Sequence, residues 1–316
     1  MSEFEFKSIS KSYTVVIPTH DRPSELRRLL RYLDTYNCNV IILDSSSEPL
    51  DTSNFRFVKH IKNTDLTFKE KVLEGCRNVK TKFTILAADD DFPSISNIEA
   101  AIKKNNEFSL LIGRVAMFNK SFVRKKFWFQ NKKEVTGLFT KENLSYFMSN
   151  YTQVLWGCYS NSDLLSCFES IMEMDLKNDN YIEIFIAICM ASLSGILKVE
   201  DILCVREVSS SDHWGKRHKP LREAYQNNIT DFLDDLITVS SKFKSSIFIN
   251  AFTAYLEAQK KPSFLITELK KLTKPLFLPF MDKIGIHLNK NFIDQLECVD
   301  FPNINLAITE KNKDSN

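Results

Sequence analysis

Apolar residues fall in short, β-branched runs separated by stretches with helical leucine spacing. The first run, Tyr13-Thr14-Val15-Val16-Ile17, is broken by Pro18 and passes through a polar turn into a helix expected from about Ser24. A second run, Asn39-Val40-Ile41-Ile42-Leu43, ends at Asp44 and Ser45-Ser46-Ser47. A third strand is expected at Phe55–His60, a fourth at Phe83–Ala88 and a fifth at Phe108–Phe118, with Phe122–Phe129 as a sheet extension. Helices are expected over Lys141–Tyr151 and Asn178–Ser194, a Gly-interrupted strand at Gln153–Tyr159, and paired strands within Ile196–Val208. From Leu221 the pattern is helical, over Leu221–Phe243, Ser245–Lys260 and Leu265–Leu272, until Pro275 and Pro279 break it. Strands alternating with helices predict an α/β fold: an open, mostly parallel sheet flanked by helices, with a Rossmann-like nucleotide-binding half and a helical C-terminal extension. In such sheets ligands bind beyond the carboxyl ends of the strands, where this chain concentrates its polar residues.

The fourth strand empties into Asp89-Asp90-Asp91. Carboxylates packed together resist ionising unless water or a cation relieves their repulsion, so the triplet points to a divalent ion held by oxygen ligands. A solvated acidic turn leading into the helix that Pro93, Ser94 and Ser96 announce is the alternative.

Composition narrows the partners. With 42 basic and 40 acidic residues, nothing marks nucleic acid as a partner, and Arg124-Lys125-Lys126 with Lys132-Lys133 reads as solvated surface. Only 7 of 316 residues are glycine, and no P-loop or G-x-G-x-x-G pattern occurs, so the P-loop and dinucleotide readings lose their main support. Seven scattered cysteines without a CxxC pair predict free thiols in a reducing compartment. Met1–Ser12 has no apolar core of a secretory signal and no stretch has membrane-spanning length, so a cytoplasmic location is expected, extending to the inner face of the membrane.

The order Val15-Val16-Ile17-Pro18-Thr19-His20-Asp21-Arg22-Pro23, then Asp44 at the end of strand 2, then Leu86-Ala87-Ala88-Asp89-Asp90-Asp91-Phe92, resembles the nucleotide-binding half of family 2-type glycosyltransferases with the GT-A fold. His20 and Asp21 stand where Tyr and Asn are usual in that family, and Asp44-Ser45-Ser46-Ser47 replaces its Asp-Asp-Gly-Ser form. The resemblance covers roughly residues 12–115 well and 150–220 weakly, and nothing matches beyond about 225.

The resemblance implies roles. Pro18 and Thr19 would shape the turn under the nucleotide base and ribose, with Asp21 and Arg22 beside it, and Asp44 would accept a hydrogen bond from the base. Asp89 would face the ribose or a metal-bound water, and Asp91 would coordinate Mg²⁺ or Mn²⁺ bridging the diphosphate. Asp90 would join the donor site or cap the next helix. Trp156 and Gly157 would lie under the donor sugar, although a lone Trp is more often core. At the start of the 178–194 helix, Asp179 and Glu183 are spaced i and i+4, and either could be the base that deprotonates an acceptor hydroxyl. Glu183 is narrowly preferred, at the edge of an apolar run, and capping alone would explain Asp179. In the loop Ser209–Pro220, His213 is the candidate late metal ligand, and Arg217 and His218 are candidate phosphate contacts, against a merely basic surface loop.

These readings divide the chain into a glycosyltransferase-like domain over 1–220 (nucleotide-binding half about 12–115, acceptor half about 116–220), a helical region over 221–310 and a disordered tail over 311–316. The expected function is inverting, metal-dependent transfer of a sugar from a nucleotide-sugar donor to a hydroxyl of a surface polysaccharide or lipid-linked glycan. The basic and apolar mixture in Lys270–Lys290 suits a peripheral membrane contact, a buried subdomain or a homodimer contact. The rivals are a nucleotide-sugar-binding module without transferase activity and a sugar nucleotidyltransferase, which would normally carry a Gly-rich loop after strand 1.

Overall fold

The computed structural model describes residues 11–118, 128–129, 135–207, 229–243 and 245–259. Its frame is a ten-stranded mixed sheet whose main path runs β3-β2-β1-β4-β9-β6-β10-β5. The strands are β1 (Tyr13–Thr19), β2 (Asn39–Asp44), β3 (Val58–Lys62), β4 (Phe83–Leu86), β5 (Phe92–Pro93), β6 (Leu110–Phe118), β7 (Trp128–Phe129), β8 (Gly137–Phe139), β9 (Cys158–Ser160) and β10 (Ile196–Glu207). The helices are α1 (Pro23–Asp34), α2 (Phe68–Asn78), α3 (Ile95–Lys104), α4 (Leu144–Ser149), α5 (Asn161–Met172), α6 (Asn180–Ser192), α7 (Ile229–Ser240) and α8 (Ser245–Gln259).

β1 and β2 are buried along their whole length because both faces of the sheet are covered. Val15 and Ile17 enter one core with Leu26, Leu29, Leu30 and Leu33 of α1, whereas Val16 enters the other with α2, α5 and α6. Two-residue alternation thus feeds two cores from one strand. Local signals set the helix starts: Pro23 opens α1, and a capping box between Thr67 and Glu70 opens α2.

Register places the strand ends side by side. β1 and β2 pair in parallel with Thr19 opposite Asp44, and β1 and β4 pair with Val16 opposite Leu86. Three residues further along that register Thr19 comes level with Asp89. At the other edge β10 runs parallel to β6, and its Val205 lies opposite Phe92 of β5, which brings the end of β10 beside the aspartate triplet.

Several expectations are corrected. Ile196–Glu207 is one long strand, not a pair, because Glu200 and Asp201 form a bulge in β10 rather than a turn. Gly113 of β6 permits that bulge, since a Cβ there would stand 2.4 Å from the Asp201 carbonyl oxygen. The strand expected at 153–159 shrinks to Cys158–Ser160, antiparallel between β4 and β6. Gly157 allows close approach of another backbone: its missing side chain makes room for Leu110 and for the carbonyl of Leu111. The helix at 141–151 is limited to Leu144–Ser149.

α7 and α8 belong to the same core as the sheet. Val239, Phe248, Ala251 and Phe252 are buried with α4 and α6, and Tyr151 meets Tyr255 edge-on at 5.1 Å between centroids. Among the described residues no helix is long and apolar enough to cross a membrane. The helix expected at 265–272 and the 270–290 stretch lie outside the described residues.

Candidate active site

The carboxyl ends of β1, β2 and β4 form a connected polar rim. Thr19 donates its hydroxyl hydrogen to Asp89 at 2.7 Å, and the buried Lys71 ammonium donates to the Thr19 carbonyl at 2.6 Å. Arg22 spans two aspartates, with Nη1 2.8 Å from Asp89 and Nη2 2.6 Å from Asp90. Between Thr19 and Arg22, Asp21 takes a left-handed φ of 52°, a conformation uncommon outside glycine. Serines of the β2 loop hold it: its amide donates to Ser46 Oγ at 2.7 Å, and its carboxylate accepts from the Ser47 amide at 3.1 Å. His20 Nδ1 lies 3.0 Å from Ser45 Oγ, so the turn after β1 and the turn after β2 are bound together. Pro18, opposite Leu43, leads into this turn.

Asp44 is satisfied within the protein. One carboxylate oxygen accepts from the Ser46 amide at 2.8 Å, and the other lies 3.0 Å from His60 Nε2. A carboxylate can only accept here, so that ring nitrogen carries the hydrogen. Burial works against the charge, yet His60 and Ser46 hold the Asp44 carboxyl down at about 2, from an ordinary 3.8. His60, which orients this carboxylate, is a residue that sequence reading did not single out. The linkage runs in one direction: a depressed carboxyl stabilises the fold above its unfolded pKa and loses that contribution as pH falls through its folded value. Asp44→Asn should lower unfolding free energy by about 2 kcal/mol at neutral pH and remove the part of the acid limb between about pH 4 and pH 2. Urea melts across that range check it, and an unchanged acid limb would contradict it.

The triplet is divided between two arginines. Asp91 is 4% exposed at its side chain; Arg206 Nε donates to one oxygen at 2.9 Å, and the Glu207 amide donates to the other at 3.3 Å. Arg206 also donates to Gln153 and feels the charge of Glu183. Behind it, Glu207 pairs with Arg28 at 2.5 Å, both side chains 3% exposed, with the guanidinium over the rings of Phe92 and Phe118. Asp90 does not cap the following helix. Its carboxylate is drawn to Arg22, and Ser94 takes the N-cap position of α3. Burial pushes the Asp89 carboxyl up to about 7, with Arg22 and Thr19 pulling it back and Asp90 adding to the rise. Burial likewise raises Asp91 against the opposing pull of Arg206.

Trp156 and Gly157 line a small cavity together with Asp91, Gln153 and Cys204. The Trp156 ring packs edge-on against Phe68 at 6.1 Å, so this partly buried side chain both contacts the core and lines the cavity. Glu183 is tied down: its Oε1 accepts from the Val154 amide at 2.9 Å, and burial raises its pKa in spite of that bond and of Arg206. Asp179 occupies the N-cap position of α6 without a side-chain capping bond, so capping does not explain it. His213, Arg217 and His218 lie outside the described residues.

Whether a divalent ion suits this place can be judged from the donor set. Among the described residues Asp89, Asp90 and Asp91 meet Arg22 and Arg206, and burial works against the ionised forms of Asp89 and Asp91. A dication placed beside these carboxylates would favour their ionised forms. Magnesium commonly takes one or two carboxylates and completes its shell with phosphate oxygens and water. Asp89 and Asp91 would be those carboxylates, and since each of their oxygens already accepts from Thr19, Arg22, Arg206 or the Glu207 amide, an ion there would share or displace those donors. Among the described residues no three His, Cys, Asp or Glu side chains gather as a ready metal cluster, so phosphate and water would supply the remaining ligands.

Strand order, the antiparallel β9 and the acidic strand end define a GT-A-like α/β fold. The chain is similar in structure to S. aureus TarS, with a TM-score of 0.53 at 14% identity over 80% of this chain. It spans only 44% of that TarS chain. Against TarS 1–349 in complex with UDP-GlcNAc the TM-score is 0.54 at 14% identity, covering 78% of this chain and 72% of the other. Against TarS 1–349 alone it is 0.54 at 13% identity, covering 95% and 82%. No family model and no curated protein matches the sequence.

Proposed function

We propose that the protein transfers a glycosyl group from a nucleotide-sugar donor to a hydroxyl of a glycan or lipid-linked glycan, with inversion at the anomeric carbon. The observation that carries this reading is the convergence of the β1, β2, β4 and β10 ends on one charged rim in a GT-A-like fold. TarS, which shares that fold, has been crystallised with UDP-GlcNAc and with UDP, so a uridine nucleotide-sugar is the first donor to test. The turns after β1 and β2 would receive the nucleoside, with Asp44 as a pre-oriented acceptor toward the base. A divalent cation held by Asp91 and Asp89 would neutralise charge on the leaving nucleoside diphosphate. We assign the base to Asp179, at the start of α6, and give Glu183 the role of holding the loop beside Gln153 and Trp156 through the Val154 amide that it binds. Asp179 would take the proton from the acceptor oxygen as that oxygen bonds to the anomeric carbon and the bond to the diphosphate breaks. A lipid-linked acceptor would bring the chain to a membrane surface, with 270–290 as the contact.

A panel of UDP-, GDP-, dTDP- and CMP-sugars, assayed for release of nucleotide with Mg²⁺ or Mn²⁺ and with EDTA, tests the reading. Metal-dependent turnover of one member is the expected result. Binding of a donor with neither transfer nor hydrolysis would instead indicate a nucleotide-sugar-binding module.

A further inference from the structure

The approach to α6 is held by the C-terminal helices. Asp235 of α7 is 2% exposed, and its two carboxylate oxygens accept from two successive backbone amides, Lys177 and Asn178, each at 2.9 Å. The next residue is Asp179. On the surface above, the Lys177 ammonium reaches Asp231 at 2.7 Å and Asp234 at 3.0 Å. Below, Asn178 Oδ1 accepts from the Asn180 amide at 3.0 Å, which fixes the first turn of α6. A carboxylate that bridges two consecutive amides sets the direction of the chain at that point, because both hydrogens must converge on it. Such charge-assisted bonds are shorter and stronger than neutral ones. α7 itself is anchored by Val239 in the core, and α8 by Phe252, which stacks on Tyr181 of the first turn of α6 at 6.1 Å. The groups facing Asp235 are therefore the Lys177 and Asn178 amides, the more distant charges of Lys177 and Asp231, and the Tyr181 ring.

We propose that Asp235 is a positioning residue for Asp179, so that residues 229–259 are part of the catalytic unit. The proposal rests on the assignment of Asp179 as base. Deviations of an ångström in such a group cost orders of magnitude in rate, whereas nucleotide binding at the far ends of β1 and β2 is untouched.

The experiment is a double-mutant cycle on the full chain, assayed with the panel sugar that the wild type turns over fastest. Asp235→Asn keeps the shape and one acceptor oxygen, and should lower kcat about tenfold. Asp235→Ala should lower it further. In both variants UDP affinity by calorimetry, or that of the nucleoside diphosphate of the active donor, should match wild type, which also shows that the protein is folded. The decisive term is non-additivity: in an Asp179→Asn background, Asp235→Asn should change kcat by less than twofold, because its effect passes through the missing carboxylate. An undiminished tenfold loss in that background would show a structural effect and overturn the proposal, as would wild-type kcat in Asp235→Asn. If the wild type consumes no sugar in the panel, the functional reading falls, and this inference with it.

Discussion

Asp179→Asn should reduce donor turnover by about 10²–10⁴-fold, the range that a positioned general base contributes, while leaving nucleotide affinity within a factor of two. The substitution keeps the size of the side chain and removes its charge and its ability to take a proton. Asp179 stands at the N-cap position of α6 without a side-chain capping bond, so no cap is lost when the carboxylate becomes an amide. Glu183→Gln should behave in the opposite way. Its carboxylate accepts the Val154 amide and balances Arg206, so the amide substitution weakens the fold around 151–157 and lowers the melting temperature. Turnover would fall only as far as Gln153 and Trp156 shift. Steady-state kinetics and thermal melts on the two variants separate the roles. A Glu183→Gln protein that melts like wild type yet has lost 10²-fold or more in turnover would return the base to Glu183.

Asp91→Ala should abolish measurable turnover and destabilise the protein by about 3–5 kcal/mol, the cost of removing one partner from a buried ion pair. Arg206 is left mostly buried beside Gln153 with no carboxylate against its Nε, and the Glu207 amide loses its acceptor. Stability and function can be separated with a second change. Adding Arg206→Met to Asp91→Ala removes the stranded charge and should recover more than half of the lost stability in urea melts, with turnover still absent. EDTA should stop the wild-type reaction and excess Mg²⁺ or Mn²⁺ restore it. Turnover in Asp91→Ala at wild-type rate would remove Asp91 from the mechanism.

Much of the frame is legible in the sequence, for local reasons. β1 and β2 carry unbroken apolar runs because both of their faces are buried, and Pro23 and the Thr67–Glu70 capping box mark helix starts through bonds made within one turn. The polar rim is legible for the same reason, since Thr19 and Asp44 each end a strand and Asp89 follows β4 by three residues. What reading missed are the cations that answer those carboxylates. Arg206 reaches Asp91 across 115 residues, and Arg28 reaches Glu207 across 179, so no local pattern announces either pair. Arg28 sits on the buried face of α1 among leucines, and that misplaced charge was the one available signal. β10 was misread because Glu200 and Asp201 interrupt its alternation like a turn, whereas the space above Gly113 lets the strand bulge and continue. The clamp of Asp235 on Lys177 and Asn178 was invisible for the same reason as Arg206: it is made by the way α7 packs.

The most direct test is a crystal structure of the protein with UDP, or the nucleoside diphosphate of the active donor, and Mg²⁺. The nucleoside should lie over the turns after β1 and β2, with the diphosphate and one metal ion at Asp91. A nucleotide bound elsewhere, with Asp91 still closed on Arg206 and no metal beside it, would contradict the account.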